Sequence, residues 1–407
     1  MSAKRKIIND PVFGFINIPN DFIYRIIAHP CFQRLNRIKQ LGLSHLVYPG
    51  AQHSRLSHSL GAMYLMNEAI AQLRSKGHCI TADEENAALA AILMHDLGHG
   101  PFSHVLENTL ICNVRHETLS LLLMQRMNAE MNGQLNMAIA IFNNEYAKTF
   151  LHQLVSGQLD VDRLDYLRRD SFFTGVTEGN IGSARIIKMM TVKDDRLVVE
   201  AKGIYSIENF LMARRLMYWQ VYLHKTSIAA EKMLINILKR AKYLYRHGTP
   251  VFASPALHYF LINQVDEQTF FNDPQALDNF IALDDNDLWS ALKVWATHPD
   301  RVLSLLSYSL INRKLFRVEI EQHPFDEAYI DEKRQHLAAH FDLPLHDCEY
   351  LTYSDEISSN MYNEADDSIK ILFKDGSIKD IAEASDMLNI QLLSKKIRKY
   401  YLCYLRD

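Results

Sequence analysis

Apolar residues recur at three- and four-residue spacing over residues 20–46 and 59–76, which predicts amphipathic helices in both stretches. Thr81 followed by Glu84 is typical of a helix N-terminus, and the helix would continue through AALAAILMHD. Another helical block, long and apolar, begins at Ser206 and is expected to be central to the fold. The first half of the chain is therefore predicted to be a stack of helices.

Strand patterns occur in one internal segment and in the last hundred residues. The segment MMTVKDDRLVVEA predicts a hairpin that turns at Asp194 and Asp195, and further β-rich runs are LFRVEIE, EYLTYSDEI and IKILFKDGSIKDI. We therefore predict a mainly α fold, with a helical body over residues 1–310 and a smaller α+β region over residues 311–407. Because no Gly/Ser linker separates them, the C-terminal region is expected to pack on the body.

The composition is that of an ordinary globular protein, with 407 residues of which 48% are hydrophobic and 23% charged. A net charge of -4 argues against a surface that coats nucleic acid, so any polyanion must be met by a local cluster of Lys and Arg. The five cysteines are scattered without CxxC spacing, and no window approaches a membrane span. We expect a cytoplasmic protein that does not bind membranes and for which nucleic-acid binding is not favoured.

Histidine is concentrated in one part of the chain, because eight of the 18 histidines lie between residues 45 and 116. There, His95 and Asp96 precede Leu-Gly-His-Gly-Pro, and two glycines and a proline within a few residues should end the preceding helix. Adjacent imidazole and carboxylate groups suit a divalent metal such as Fe, Mn, Ni, Co or Zn. On its own, however, His95 would more often be a core histidine bonded to a backbone carbonyl.

The His-Asp pair belongs to a longer pattern. The segment HSRLSHSLG, with His58, precedes it and LDVDRLDY, with Asp162, follows it, and the order H…HD…D is the signature of the HD superfamily. Four ligands, His58, His95, Asp96 and Asp162, would hold one metal and leave positions open for water and a phosphoryl oxygen. Asp162 alone could equally be a carboxylate on a helix surface. Together, the four residues predict a metal-dependent phosphohydrolase.

Longer motifs resemble the deoxynucleoside triphosphate triphosphohydrolases of the HD superfamily, and in particular the animal enzyme that joins this domain to a sterile alpha motif. The motifs are NDPVFGFI, FQRLNRIKQLG, PGAQHSRLSHSLG, HDLGHGPFSH, RHE, DVDRLDYLRRD and YLHK. The resemblance implies an HD-domain helical bundle whose core motifs lie within residues 45–170, here without the sterile alpha motif. It also implies hydrolysis of dNTPs to deoxynucleoside and inorganic triphosphate.

The resemblance further implies roles for residues around the metal. His104, Glu107 and His116 match positions beside the metal, and His104 is our choice for the acid that protonates the leaving 5′-oxygen. His99 is a fourth candidate. Alternatively, His99, His104 and His116 form a hydrogen-bonded structural network.

Other matching positions are implied to bind the substrate. Those that would hold the triphosphate are Arg55, Arg163, Tyr166, Arg214 and Lys225. Those around the deoxyribose are Gln40, Leu41, Asp170 and Tyr222. A carboxylate and an amide there would bind the 3′-hydroxyl, while Tyr222 and Leu41 would crowd C2′ and exclude a ribose. Without the motif, Tyr222 would more often be a core aromatic. Three other arginines are expected to be solvated or structural charges: Arg168, Arg169 and Arg215.

The sequence departs from the family's pattern at the activator site. The animal enzyme is switched on by a guanine nucleotide at a subunit interface, but Ala28 and Asn36 replace the acidic and arginine residues that recognise the guanine. We therefore expect activity that does not require GTP. We also expect a homo-oligomer, with Phe13, Phe15 and Ile16 as contacts to a neighbouring subunit.

Three functions remain open at the level of sequence. The leading one is a dNTP triphosphohydrolase with one divalent transition metal, and Mg²⁺ on the substrate phosphates is left open as a second ion. The second is an HD phosphohydrolase acting on nucleoside mono- or diphosphates or another phosphoester. The third is a non-catalytic module that senses nucleotides or binds single-stranded nucleic acid. The phosphorus product distinguishes the first two, because only the first releases triphosphate.

Overall fold

The computed structural model describes residues 6–107, 109–111, 113–359, 368–386 and 397–406. In chain order the helices are α1 Asp21–Ala28, α2 Pro30–Gln33, α3 Arg55–Ser75, α4 Ala82–Met94, α5 Ser103–Glu107, α6 His116–Glu130, α7 Asn136–Phe142, α8 Thr149–Val155, α9 Val161–Thr174, α10 Ser183–Met189, α11 Ile204–Met217, α12 Lys225–Arg246, α13 Pro255–Ile262, α14 Glu267–Asn272, α15 Pro274–Ala282, α16 Asp285–Trp295, α17 Arg301–Ile311, α18 Glu327–Phe341 and α19 Ile381–Ala384.

The strands are short and form three small sheets. They are β1 Ile7–Asp10, β2 Gly14–Asn17, β3 Met190–Lys193, β4 Arg196–Glu200, β5 Arg317–Glu321, β6 Thr352–Ser359, β7 Lys370–Leu372, β8 Ile378–Asp380 and β9 Ile397–Tyr404. Strands β1 and β2 form a hairpin, β3-β4-β7-β8 form the second sheet, and β5-β9-β6 form the third. The predicted mainly α fold with a smaller α+β part is confirmed. The boundary near residue 310 stays a prediction.

Helix α3 packs on both α4 and α9, and the three helices form the centre of the first half. Each begins at a capping residue: the Ser54 side chain accepts from the Ser57 amide at α3, and Asp160 accepts from the Arg163 amide at α9. Helix α4 begins with the capping box predicted from Thr81. Its buried stretch of Ala, Leu and Ile lies in the shared apolar core. The caps of α3 and α9 fix where these two helices begin, and therefore place His58 and Asp162 in their first turns.

Two predicted helical stretches are interrupted. Residues 20–46 contain α1, α2 and two short 3₁₀ segments rather than one helix. The block from Ser206 is also divided, because α11 passes into a π turn over Tyr218–Tyr222 and α12 begins only at Lys225. The Leu223 amide donates to the Tyr218 carbonyl at 2.8 Å, which is the wider i→i−5 spacing of a π turn. The break leaves Tyr222 at a helix end.

The C-terminal strands pack on the helical body, as expected. Asn236 on α12 donates from Nδ2 to the Tyr350 and Thr352 carbonyls at 2.9 and 3.0 Å. Arg240 on the same helix binds Asp300 at 2.6 Å and Asp347 at 2.8 Å. The predicted hairpin is present as β3 and β4, with positive φ at both turn residues, Asp194 and Asp195. Among the described residues, no helix is both long and apolar enough to cross a membrane.

Candidate active site

Three predicted metal ligands converge where α3, α4 and α9 meet. His58 lies in the first turn of α3, His95 directly follows α4, and Asp162 lies in the first turn of α9. The two imidazole Nε2 atoms are 3.4 Å apart. The Asp162 Oδ1 atom is 3.0 Å from Nε2 of His58 and 3.4 Å from Nε2 of His95. One ion could therefore be reached by all three groups.

Hydrogen bonds at Nδ1 orient the two histidines so that both Nε2 atoms point to one place. His58 donates from Nδ1 to the Asp165 carboxylate at 2.7 Å, and His95 donates from Nδ1 to the Ile92 carbonyl at 2.6 Å. In neutral imidazoles this leaves both Nε2 lone pairs facing each other and the Asp162 carboxylate. Burial opposes protonation of His58, but Asp162 and Asp165 outweigh it and raise its pKa to about 10. The centre thus attracts positive charge, and two imidazoles with a carboxylate suit a divalent first-row metal.

Asp96 lies beside this group and has other partners as well. Its carboxylate oxygens are 3.4 Å from Nε2 of His95 and 3.8 Å from Nε2 of His58. Arg55 donates to it at 2.7 Å, and Nε2 of His99 is 3.3 Å away. Burial opposes ionisation of Asp96, but the neighbouring histidines and Arg55 outweigh it and hold its pKa well below the usual value. Asp96 therefore lies beside the three-donor group of His58, His95 and Asp162, and its role as a fourth ligand stays a prediction.

A row of polar side chains continues from Asp96. The His99 and His116 rings stack with centroids 4.0 Å apart, and Glu107 lies 3.7 Å from both His116 and His104. Burial, and then Arg55, lower the pKa of His99 to about 3. By contrast, the hydrogen bond with Glu107 raises the pKa of His104. The His104 side chain is 78% exposed. His104 is exposed and has a raised pKa, and both properties suit a proton donor. His99 is buried and its pKa is lowered, so it is less suited to that role.

A second cluster brings together the residues expected around the deoxyribose. Asp170 receives the Tyr222 hydroxyl on Oδ2 at 2.8 Å, and its Oδ1 lies 2.8 Å from Nε2 of His53. Tyr166 packs edge-on against Tyr222 with centroids 6.0 Å apart. The Gln40 Oε1 atom is buried without a hydrogen-bond partner among the described residues, and the site therefore offers an acceptor to a ligand donor.

Both clusters face one cavity of about 800 Å³, within the usual range of ligand pockets. Among the predicted site residues, its lining includes Gln40, Leu41, Arg55, His95, Asp96, His99, His104, His116, Asp162, Arg163, Tyr166, Asp170, Arg214 and Tyr222. Arg163 is paired with the buried Asp160, and Arg214 donates to the Gln158 side chain at 2.9 Å. Lys225 is placed elsewhere, since it lines another cavity of about 1080 Å³ together with Arg313 and Arg317.

Several residues that shape the site were not predicted. Asp165 is fully buried, binds His58 and also receives two hydrogen bonds from Arg169, at 2.9 and 3.0 Å. Arg169 was expected to be either a solvated or a structural charge, and it is structural, because its side chain is fully buried. Ser120 donates to the His95 carbonyl at 2.7 Å and receives the Gly98 amide at 2.8 Å. The only signal for Asp165 was its place in the DVDRLDYLRRD motif.

A helical bundle that joins a histidine, a His-Asp pair and a later aspartate at the base of one cavity defines an HD-domain protein. The HD domain family matches residues 55–169, and the family described as HD associated region matches residues 181–246. This chain belongs to the HD-domain phosphohydrolases.

Particular relatives extend the comparison. The uncharacterized protein YwfO of Bacillus subtilis is 31% identical over all of this chain and 93% of its own length. The crystal structure of a phosphohydrolase from Bacteroides thetaiotaomicron has a TM-score of 0.97 and 65% identity, and the match covers 99% of this chain and 100% of that one. The deoxynucleoside triphosphate triphosphohydrolase SAMHD1 of Gallus gallus is 28% identical over 59% of this chain and 46% of its own length. The chain is thus similar to a phosphohydrolase over 99% of its length and to a dNTP triphosphohydrolase over 59% of it.

Proposed function

We propose that the protein hydrolyses dNTPs to deoxynucleoside and inorganic triphosphate. One observation carries this proposal: the metal-donor group and the Asp170–Tyr222 pair face the same cavity. A sugar-binding cluster beside the metal donors supports a nucleotide substrate, and Arg163 and Arg214 on the same cavity wall favour a triphosphate, because guanidinium groups can bind its additional phosphates. The named activity of the SAMHD1 relative supports the same substrate class.

In this proposal His58, His95, Asp96 and Asp162 hold one divalent metal. When bound, the metal polarises a phosphoryl oxygen and lowers the pKa of water, which is the chemistry that hydrolysis at phosphorus requires. The metal identity is left open, as is Mg²⁺ on the substrate phosphates.

The remaining side chains would place the substrate. Arg163 and Arg214 lie on the cavity wall, where guanidinium groups can bind phosphate oxygens in pairs. Asp170 would accept the proton of the 3′-hydroxyl and the Gln40 NH₂ group would donate to its oxygen. Leu41 and Tyr222 would leave no room for a 2′-hydroxyl. This arrangement directs the α-phosphate toward the metal ligands.

His104 would complete the reaction. A water oxygen bonds to the α-phosphorus as the water gives up one proton to solvent, the bond from phosphorus to O5′ breaks, and His104 gives its proton to O5′. His104 then takes up a proton from solvent, which restores the acid. The products are a deoxynucleoside and triphosphate. Glu107 would keep His104 protonated, which agrees with the raised pKa of His104.

The product assay tests this function. The purified protein is incubated with each dNTP and Mn²⁺, Fe²⁺, Co²⁺ or Mg²⁺, and phosphorus products are identified by ³¹P NMR. We expect triphosphate from dNTPs and much slower turnover of NTPs, with Asp162→Ala as the inactive control. Orthophosphate as the first product would favour the phosphoester alternative. Absence of turnover with every metal would favour a sensing role.

We also propose a homo-oligomer. Phe15 is 70% exposed and Ile7 is 56% exposed on the β1–β2 hairpin, so this small face is a suitable contact. Ile16, which was expected in that contact, is fully buried in the core. Its side chain points to the opposite face of β2 from Phe15, because successive strand residues alternate.

A further inference from the structure

His53 lies buried between helix α9, which carries Asp170, and the segment that carries Gln40. Both of these residues were assigned to the deoxyribose. His53 is 5% exposed. Its ring stacks on Phe173 with centroids 4.5 Å apart and 17° between planes, and its Nε2 lies 2.8 Å from Asp170 Oδ1. Asp170 and Phe173 are one turn apart on α9. His53 is thus held to one face of that helix by a stack and a hydrogen bond.

The direction of this hydrogen bond follows from chemistry. An ionised carboxylate can only accept, so His53 donates from Nε2 to Asp170. The other ring nitrogen, Nδ1, is buried and has no hydrogen-bond partner within the described parts of the chain. With Tyr222 donating to Oδ2, both Asp170 oxygens are fixed while each keeps a free lone pair.

The main chain of His53 supports the other sugar-binding group. The Gln40 amide donates to the His53 carbonyl at 3.0 Å, and the Arg55 amide donates to the Ile38 carbonyl at 2.9 Å. The His53 segment also lies very close to α9, because a Cβ added to Gly50 would come within 2.6 Å of the Phe173 carbonyl oxygen. One residue therefore connects Asp170, through its side chain, with Gln40, through its backbone.

We propose that His53 is the positioning residue that makes the cavity select for a 3′-hydroxyl. It does not touch the reacting phosphorus. It orients the Asp170 carboxylate so that the hydroxyl is bound by a lone pair of fixed direction. This inference rests on the proposed function, since it assigns the discrimination between a deoxynucleotide and its 3′-deoxy analogue to one side chain.

The test compares dATP with 2′,3′-dideoxyATP, which lacks only the 3′-hydroxyl. For the unaltered protein we expect kcat/KM to favour dATP by roughly 5- to 100-fold, the range for one buried hydrogen bond left unmade. His53→Phe keeps the stack on Phe173 and removes the donor, so this ratio should fall toward one. Turnover of dideoxyATP should change little. His53→Gln carries an amide that reaches Asp170 and should restore most of the ratio.

Two further variants separate positioning from folding. His78→Phe removes a histidine that is bonded to Thr191 at 2.9 Å and does not line the cavity, and it should keep the ratio. His53→Asn is too short to reach Asp170 and provides the same test if His53→Phe does not fold. If His53→Phe and His53→Asn, or whichever of them folds, prefer dATP to dideoxyATP as strongly as the unaltered protein does, the proposed role of His53 is wrong. If the unaltered protein releases no triphosphate from dATP, the proposed function fails, and the inference fails with it.

Discussion

Replacing Asp165 with Asn should weaken metal binding even though Asp165 is not a proposed ligand. Its carboxylate receives Nδ1 of His58 at 2.7 Å and two hydrogen bonds from Arg169, and it is fully buried. An amide of the same shape has one acceptor and one donor, so its NH₂ group must face either the His58 N–H or the Arg169 guanidinium. With the NH₂ group in place of Oδ2, the His58 N–H loses its acceptor and the ring loses its fixed orientation. With the NH₂ group in place of Oδ1, the His58 hydrogen bond is kept, but its acceptor is a neutral amide, so the ring loses part of its basicity.

The size of the effect follows from these contacts. Loss of a partner behind a ligating histidine weakens metal affinity about 10- to 100-fold, or about 1.4–2.7 kcal/mol. The stability of the metal-free protein should fall by about 1.5–3 kcal/mol, the range for one hydrogen bond to a charged group. A larger loss is not expected, because Arg169 keeps its ion pair with Asp10 at 2.7 Å.

The assay is equilibrium dialysis against buffered Mn²⁺ followed by elemental analysis, with thermal unfolding of the metal-free protein measured in parallel. Asp160→Asn is the matched control, because Asp160 is a fully buried carboxylate that caps the same helix and binds Gly157 and Arg163, and Asn is an equally good N-cap. The control should bind Mn²⁺ as the unaltered protein does. Equal affinity in Asp165→Asn and the unaltered protein would refute the reasoning, because His58 would then either not be a ligand or not depend on Asp165.

Four other predictions concern catalysis, packing, acid stability and regulation. His104→Ala should lower kcat roughly 10²- to 10⁴-fold with metal content unchanged; an unchanged kcat in steady-state assays would make His104 structural. Gly61→Ala should cost about 1–3 kcal/mol or more in chemical denaturation, because the added Cβ would lie 2.0 Å from a buried carboxylate oxygen on α9; a neutral effect would mean that α3 and α9 can separate freely. Burial raises the pKa of Glu84, but bonds from Lys148 and Tyr146 outweigh it and lower the pKa to about 2. Its contribution to stability should thus be complete above pH 4.5 and be lost as the pH falls toward 2, and Glu84→Gln should flatten unfolding free energies across that window. Turnover of one dNTP should proceed without GTP, and strict GTP dependence in the same assay would contradict the sequence analysis of the activator site.

Much of the fold could be predicted because its signals are local. The capping box at Thr81 and the hairpin turn at Asp194 depend on residues a few positions apart, and both are present in the structure. Strand β9 was missed for a physical reason. It is the central strand of β5-β9-β6, so Tyr401, Leu402 and Cys403 are all buried, and the continuous apolar run lacks the alternation that marks a half-buried strand.

The sequence by itself determined the class of the protein and predicted the metal donors, because an H…HD…D order and its flanking motifs can be recognised without any knowledge of packing. Only the tertiary structure decided which side chains support them. Asp165 meets His58, and His53 meets Asp170, across more than a hundred residues of chain. These contacts depend on how closely α3 and the Gly50 loop approach α9. That distance cannot be inferred from the types of residues that lie far apart in the sequence. The π turn before α12 and the placement of Lys225 in another cavity were likewise decided by the tertiary structure, because hydrophobic periodicity reveals neither.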